Sequence, residues 1–138
     1  MIHPVDMTGW AINILVFSPQ SEKLTRFNRL MAPFRLSVCD GTEHRQLLNR
    51  WLNYEYFDLI VVLEPSQVYE IATILYQTRH SFKNQHVPVV VLGGNVHPDH
   101  ARQLARRGLA GVIPILPDHR KIVSLLYNIW LMTRPKVA

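Results

Sequence analysis

Four short apolar runs, Ile12–Phe17, Leu59–Leu63, Val87–Leu92 and Gly111–Leu116, constrain this chain more than any other feature. Each stops abruptly, at Ser18-Pro19-Gln20, Glu64-Pro65, Gly93-Gly94-Asn95 and Pro117 respectively. Runs of this length, rich in β-branched residues and interrupted by a polar residue only at Asn13, read as strands buried on both faces. Phe34–Cys39 differs, because Phe34, Leu36 and Val38 alternate with Arg35 and Ser37, the pattern of a half-exposed edge strand. Between the strands, apolar residues fall at helical spacing. Leu24, Phe27 and Leu30 mark a helix over Ser21–Met31, and Leu47, Leu48, Trp51 and Leu52 mark a second opened by Thr42. A third, starting at Pro65-Ser66, carries Val68, Ile71, Leu75 and Thr78. A fourth begins at Pro98, carries Ala101, Leu104 and Ala105, and ends at Gly108, while the last spans Asp118–Thr133.

Strands that alternate with helices imply parallel pairing, since parallel neighbours need right-handed crossovers. The expected fold is α/β: a flavodoxin-like (βα)5 three-layer sandwich, with a parallel five-stranded sheet in the order 2-1-3-4-5. A length of 138 residues and an apolar fraction of 48% suit one domain with a core, and argue against disorder. The expected division is a tail over 1–9, a domain over 10–134 and a tail or linker start over 135–138. The N-terminus carries Asp6 and has neither a basic nor an apolar signal region, so it does not read as a secretory signal. No membrane span is expected, and a single cysteine, Cys39, fits a reducing compartment, so the expected location is cytoplasmic. Charge is uneven: residues 1–79 hold seven Lys/Arg against eight Asp/Glu, whereas residues 80–138 hold eight against two. The basic half, with Arg102, Arg106, Arg107, Arg120 and Lys121, reads either as solvated helix faces or as a face for an acidic partner.

Several segments carry a family resemblance. Ile14-Leu15-Val16-Phe17-Ser18-Pro19-Gln20 resembles the first strand of response-regulator receiver domains, and Asp58-Leu59-Ile60-Val61-Val62-Leu63 resembles their third. Pro88–Leu92 resembles the fourth strand, Ala105–Gly111 the glycine-containing entry to the fifth, and Pro117 the proline that follows the family's lysine. The resemblance covers roughly residues 11–133 and implies a CheY-like regulatory domain, not an enzyme.

The chemistry of that family does not carry over. Receivers hold Mg²⁺ on two acids after strand 1, phosphorylate an aspartate ending strand 3, and use a Thr/Ser after strand 4 and a lysine after strand 5. The positions here are Ser18 and Pro19, Leu63, Gly93 and Leu116. None supplies the hard oxygen ligands or the cation that phosphoryl transfer requires. Val112 stands where an aromatic residue usually follows the strand 5 glycine. The resemblance thus implies a degenerate receiver lacking its phosphorylation residues. Glu64 lies one residue past the expected aspartate and reads in two ways: a displaced carboxylate acting as phosphate mimic or metal ligand, or a loop or helix N-terminal acid pointing away from the pocket.

Other constellations are thin. The seven histidines show no ligand spacing beyond His97, Asp99 and His100, so no metal and no cofactor is expected. Gly93-Gly94 reads as a turn or as a close backbone approach to a ligand. The last helix is apolar on more than one face, with Ile122, Leu126 and Ile129 beside Val123, Tyr127 and Trp130. With Arg102, Arg106 and Arg107, these residues form the expected interaction face, for a second copy (a homodimer) or another signalling protein. Trp130, Thr133 and Arg134 also resemble, with one extra residue, a signature by which some receiver-type transcription factors bind cyclic di-GMP, which implies a nucleotide-sensor alternative. The resemblance further implies the N-terminal module of a bacterial transcriptional regulator, with Arg134-Pro135-Lys136 opening a linker. No helix-turn-helix is evident, so direct DNA binding by these residues is not expected.

Overall fold

The computed structural model describes residues 13–18, 25, 27, 29, 35–40, 50, 52–65, 67–113 and 119–133. Strands β1 (Asn13–Ser18), β2 (Arg35–Asp40), β3 (Leu59–Leu63), β4 (Val89–Leu92) and β5 (Gly111–Ile113) pair in parallel in the order β2-β1-β3-β4-β5. Three helices are bounded, Val68–Arg79, Pro98–Arg106 and His119–Thr133. Residues 25, 27 and 29, and residues 50 and 52–54, are also helical. An α/β fold on a parallel sheet is what the sequence predicts. The other residues that the sequence assigns to the first two helices, together with both expected tails and residues 114–118, lie outside the described residues.

Alternation along the strands sorts their side chains into two cores. Leu15, Phe17, Ile60, Val62, Val89 and Val91 meet Leu52, Ile71, Ile74, Leu75, Leu104 and Leu109 on one side. Ile14, Val16, Leu59, Val61, Leu63, Val90 and Leu92 meet Phe27, Ile122 and Leu126 on the other. The sheet is therefore the middle of three layers, and its apolar runs are continuous because both faces are covered.

β3 begins where its apolar run does, at Leu59, whereas β4 begins two residues into its run, at Val89. Phe57 is buried in the first core, but its N–H donates to Asn84 Oδ1 (2.8 Å) instead of a ladder carbonyl. Asp58 closes the β1–β3 entry, accepting from the Asn13 N–H through Oδ2 (2.8 Å) and donating its own N–H to the Asn13 carbonyl (2.8 Å). In β4, Val87 donates to the Asn84 carbonyl (3.2 Å) and Pro88 has no N–H, so the strand starts at Val89. Helix Pro98–Arg106 also differs from expectation: Leu104 is buried, Ala101 half-buried and Ala105 exposed. Its narrower apolar stripe is sufficient because it packs near the sheet edge, beside the three-residue β5.

The loop after helix Val68–Arg79 is a polar hub and not merely a connection. Asn84 is wholly buried. Its Oδ1 accepts from Phe57, its Nδ2 donates to the Leu52 (2.7 Å) and Glu55 (2.8 Å) carbonyls, and its N–H donates to Ser81 Oγ (3.2 Å). Arg79 works beside it, donating to the carbonyls of Gln85 (3.2 Å), Val87 (2.7 Å) and Gly108 (2.8 Å). Burial lowers the Arg79 pKa from its ordinary value, but a guanidinium stays charged across the working pH range. Gly108 has φ +104°, and a Cβ there would stand 2.9 Å from Arg79 Nε, so glycine serves both the helix stop and this contact.

Replacing Asn84 removes the partner of a buried N–H at Phe57 and a buried carbonyl at Leu52, each a desolvation loss of about 1–3 kcal/mol, while the Glu55 carbonyl lies where water reaches it. Asn84→Ala should destabilise the fold by roughly 2–4 kcal/mol, read as a lower Tm and denaturant midpoint. Asn84→Asp should not rescue it, since a carboxylate cannot donate to Leu52 and Glu55. A variant as stable as the parent would show that water or another side chain takes over these bonds.

Candidate functional site

In an open parallel sheet, ligands bind beyond the carboxyl ends of the strands. Register brings those ends level: Ser18 pairs with Asp40, and Leu63 pairs with Leu92, which in turn pairs with Ile113. Leu63 and Leu92 are wholly buried in the second core and Ile113 packs against it, so this part of the edge is an aliphatic row. Ser18 is also wholly buried. Asp40 adds a carboxylate-bearing residue to this edge that the apolar pattern of the strands does not single out. It is the last residue of β2, opposite Ser18, and only pairing register reveals that neighbour. Pro19 and Leu116 lie outside the described residues.

Glu64 departs from the expected orientation. Its backbone is left-handed, at φ +44°, and its N–H donates to the Leu92 carbonyl (2.7 Å). The chain thus leaves the extended conformation at this residue, and strand alternation no longer sets its side-chain direction. The side chain lies across the end of β4 against Gly93. A Cβ at Gly93 would collide with Glu64 Cγ and stand 3.2 Å from Oε1. Gly93 has φ +71° and donates its N–H to the Ile113 carbonyl (2.7 Å), so missing bulk and permissive backbone are both used there. Nor does Glu64 stand in the first turn of a helix: Gln67 is the N-cap and Glu70 the first-turn acid. The two loops beyond β3 and β4 therefore close on each other, and Gly93-Gly94 is the turn that permits it.

The remaining sequence-selected residues lie elsewhere. Arg102, Arg106 and Arg107 are exposed on and just past helix Pro98–Arg106, with Arg102 paired to Asp99. Tyr127 and Trp130 are half-buried, packed against the second core with ring centroids 5.8 Å apart. Leu125, Leu131 and Met132 are what the last helix exposes in their place. Half-burial has a helical cause: Tyr127 and Trp130 fall beside Ile122 and Leu126, which already face the sheet. The Val123 and Thr133 side chains, and all of Arg134, are outside the described residues, so the nucleotide signature is represented only by a half-buried Trp130. His97 Nδ1 accepts from the Asp99 N–H (3.1 Å), capping its helix. Among the described residues no group of three or more His, Cys, Asp and Glu side chains could hold a metal, and no helix is long and apolar enough to cross a membrane.

No family model and no curated protein matches this chain. Solved structures do. The receiver domain of the sensor histidine kinase PA1611 from Pseudomonas aeruginosa PAO1, which holds a magnesium ion in its active-site cleft, is 12% identical at a TM-score of 0.71; the match covers 87% of this chain and 98% of that one. A response regulator from Hahella chejuensis is 19% identical at a TM-score of 0.70, covering 91% and 98%. The pilus assembly protein CpaE from Caulobacter crescentus CB15 is 16% identical at 0.61, covering 90% and 95%. The fold of this chain is that of the receiver domains.

Proposed function

We propose that this chain is a receiver-fold regulatory module that acts by protein contact, through self-association, and without aspartyl phosphorylation. The observation that carries the reading is the Glu64–Gly93 closure over a row of buried aliphatic residues. A receiver's catalytic centre needs a carboxylate nucleophile, further carboxylates for Mg²⁺, a hydroxyl and an amine at the strand ends. Leu63 is hydrocarbon, Gly93 has no side chain, and Ser18 and Leu116 replace an acid and the lysine. This donor set does not fit magnesium, which takes hard oxygen ligands in near-octahedral geometry.

A domain without that centre has its surface left to work with. The exposed arginines of helix Pro98–Arg106 give that surface its chemistry, and arginine is enriched at interface cores. The half-burial of Tyr127 and Trp130 shifts the weight of the expected interaction face from the last helix to these arginines. Pilus assembly proteins with this fold stand beside response regulators among the matches, so the fold does not by itself imply a transcriptional output. We assign this chain the role of a regulatory module in a larger signalling assembly, and a bacterial transcriptional regulator is the assembly we propose.

Incubation with acetyl phosphate and Mg²⁺ should leave the intact mass unchanged. Gain of one phosphoryl group would overturn the phosphorylation-independent reading. Leu63→Asp alone should not confer phosphorylation, because the remaining positions still lack acid and amine. Gly93→Thr should destabilise by about 1–3 kcal/mol, since it forces a β-branched residue into positive φ and against Glu64. Sedimentation over a concentration series should show self-association without any added nucleotide. A monomer that dimerises only with cyclic di-GMP would replace this reading by a nucleotide sensor.

A further inference from the structure

At the end of the sheet opposite the candidate site, where two loops feed β3 and β4, three large rings stand in solvent. Tyr54, Tyr56 and Phe82 are 72%, 65% and 88% exposed. The two loops are joined, so the rings belong to one surface. Lys83 Nζ donates to the Tyr54 carbonyl (2.9 Å) and stands 5.0 Å from the centre of the Tyr56 ring, with Phe82 next to it in the chain. Asn84 fixes the same junction from beneath, through the Glu55 carbonyl and the Phe57 N–H. Core packing does not use these rings, because Leu52 and Phe57 are the residues of this stretch that enter the first core. Single exposed apolar residues are ordinary, but rings gathered in one place call for a covering group.

The chain itself supplies that cover. β1 starts at Asn13, whose N–H donates to Asp58 Oδ2 and whose carbonyl accepts from the Asp58 N–H, both at 2.8 Å. Asp58 follows Tyr56 by two residues, so residues 1–12, which lie outside the described residues, join the sheet beside the rings. Their composition fits the surface. Ile2, Val5, Met7 and Trp10 are apolar, and the segment holds no Lys or Arg and one acid, Asp6, opposite in charge to Lys83. Indole and thioether groups pack favourably on tyrosine and phenylalanine rings. Trp10 stands three residues before Asn13, a reach of about 10 Å, and the whole segment spans up to about 40 Å, enough to cross all the rings. We propose that residues 1–12 fold back as a strap over Tyr54, Tyr56 and Phe82, with Trp10 seated against Tyr56. So short a tether holds the segment at an effective concentration on the order of millimolar, which a free partner of the same chemistry would have to exceed. The strap needs no second copy, so it stands or falls independently of the self-association reading.

Fluorine NMR of the full chain, grown with fluorotryptophan, tests it. Trp10, Trp51 and Trp130 each give a resonance, and Trp10→Phe assigns the first. The Trp10 resonance should shift in Tyr56→Ala and in Phe82→Ser, and hold its place in Tyr69→Ala, which removes an exposed ring from helix Val68–Arg79. An unmoved Trp130 resonance, from the flank of the second core, shows that the variants are folded. Chymotryptic cleavage after Trp10 should quicken about fivefold or more in the two patch variants, following the larger fraction of undocked segment. A Trp10 resonance and cleavage rate indifferent to Tyr56 and Phe82 would overturn the strap. A Trp10 shift that fades when the parent chain is diluted would also overturn it, because the segment would then be seated on a second copy.

Discussion

Ile60 and Val61 are adjacent, wholly buried, and belong to different cores. Keeping both faces of the sheet from water is the constraint on which the rest of this molecule depends. Period-two alternation sends successive side chains to opposite sides, so each strand needs helices above and below it. The crossovers that supply those helices force parallel pairing, and parallel pairing collects every strand's carboxyl end along one edge. The candidate site is a consequence of that geometry before it is a matter of particular residues.

What occupies the edge follows from the same demand for burial. Ser18 and Leu63 are wholly enclosed, and Leu63 continues the second core up to the last residue of its strand. Glu64, the carboxylate next in line, is turned by a left-handed backbone onto Gly93. The glycine and the glutamate are two halves of one fit, since a side chain at 93 and the present Glu64 cannot coexist. The opposite edge has the reverse character. There Asn84 and Arg79 bind backbone carbonyls from three stretches of chain, so polar groups and not packing hold the strand entries together. One edge thus resembles core that reaches the surface, and the other a hydrogen-bonded seam.

The helices facing solvent divide in a related way. The last helix commits Tyr127 and Trp130 to the core flank. Helix Val68–Arg79 keeps Ile71, Ile74, Leu75 and Thr78 inside and shows tyrosines outside, beyond what its inner face requires.

The sequence alone determined the class of fold, the parallel pairing, the edge character of the second strand and the absence of acid and amine at the expected strand ends. Those properties are local: a two-residue period, a helical period, and the identity of the residue where a strand stops. Tertiary structure alone decided that Glu64 folds onto Gly93, that Asp40 stands opposite Ser18, that Trp130 is half-buried and that Asn84 is a hub. Each of those joins residues far apart in the chain, Asn84 reaching Leu52 across 32 positions. No periodicity encodes such a meeting, because the crossovers and the strand register set it only after the sheet has formed.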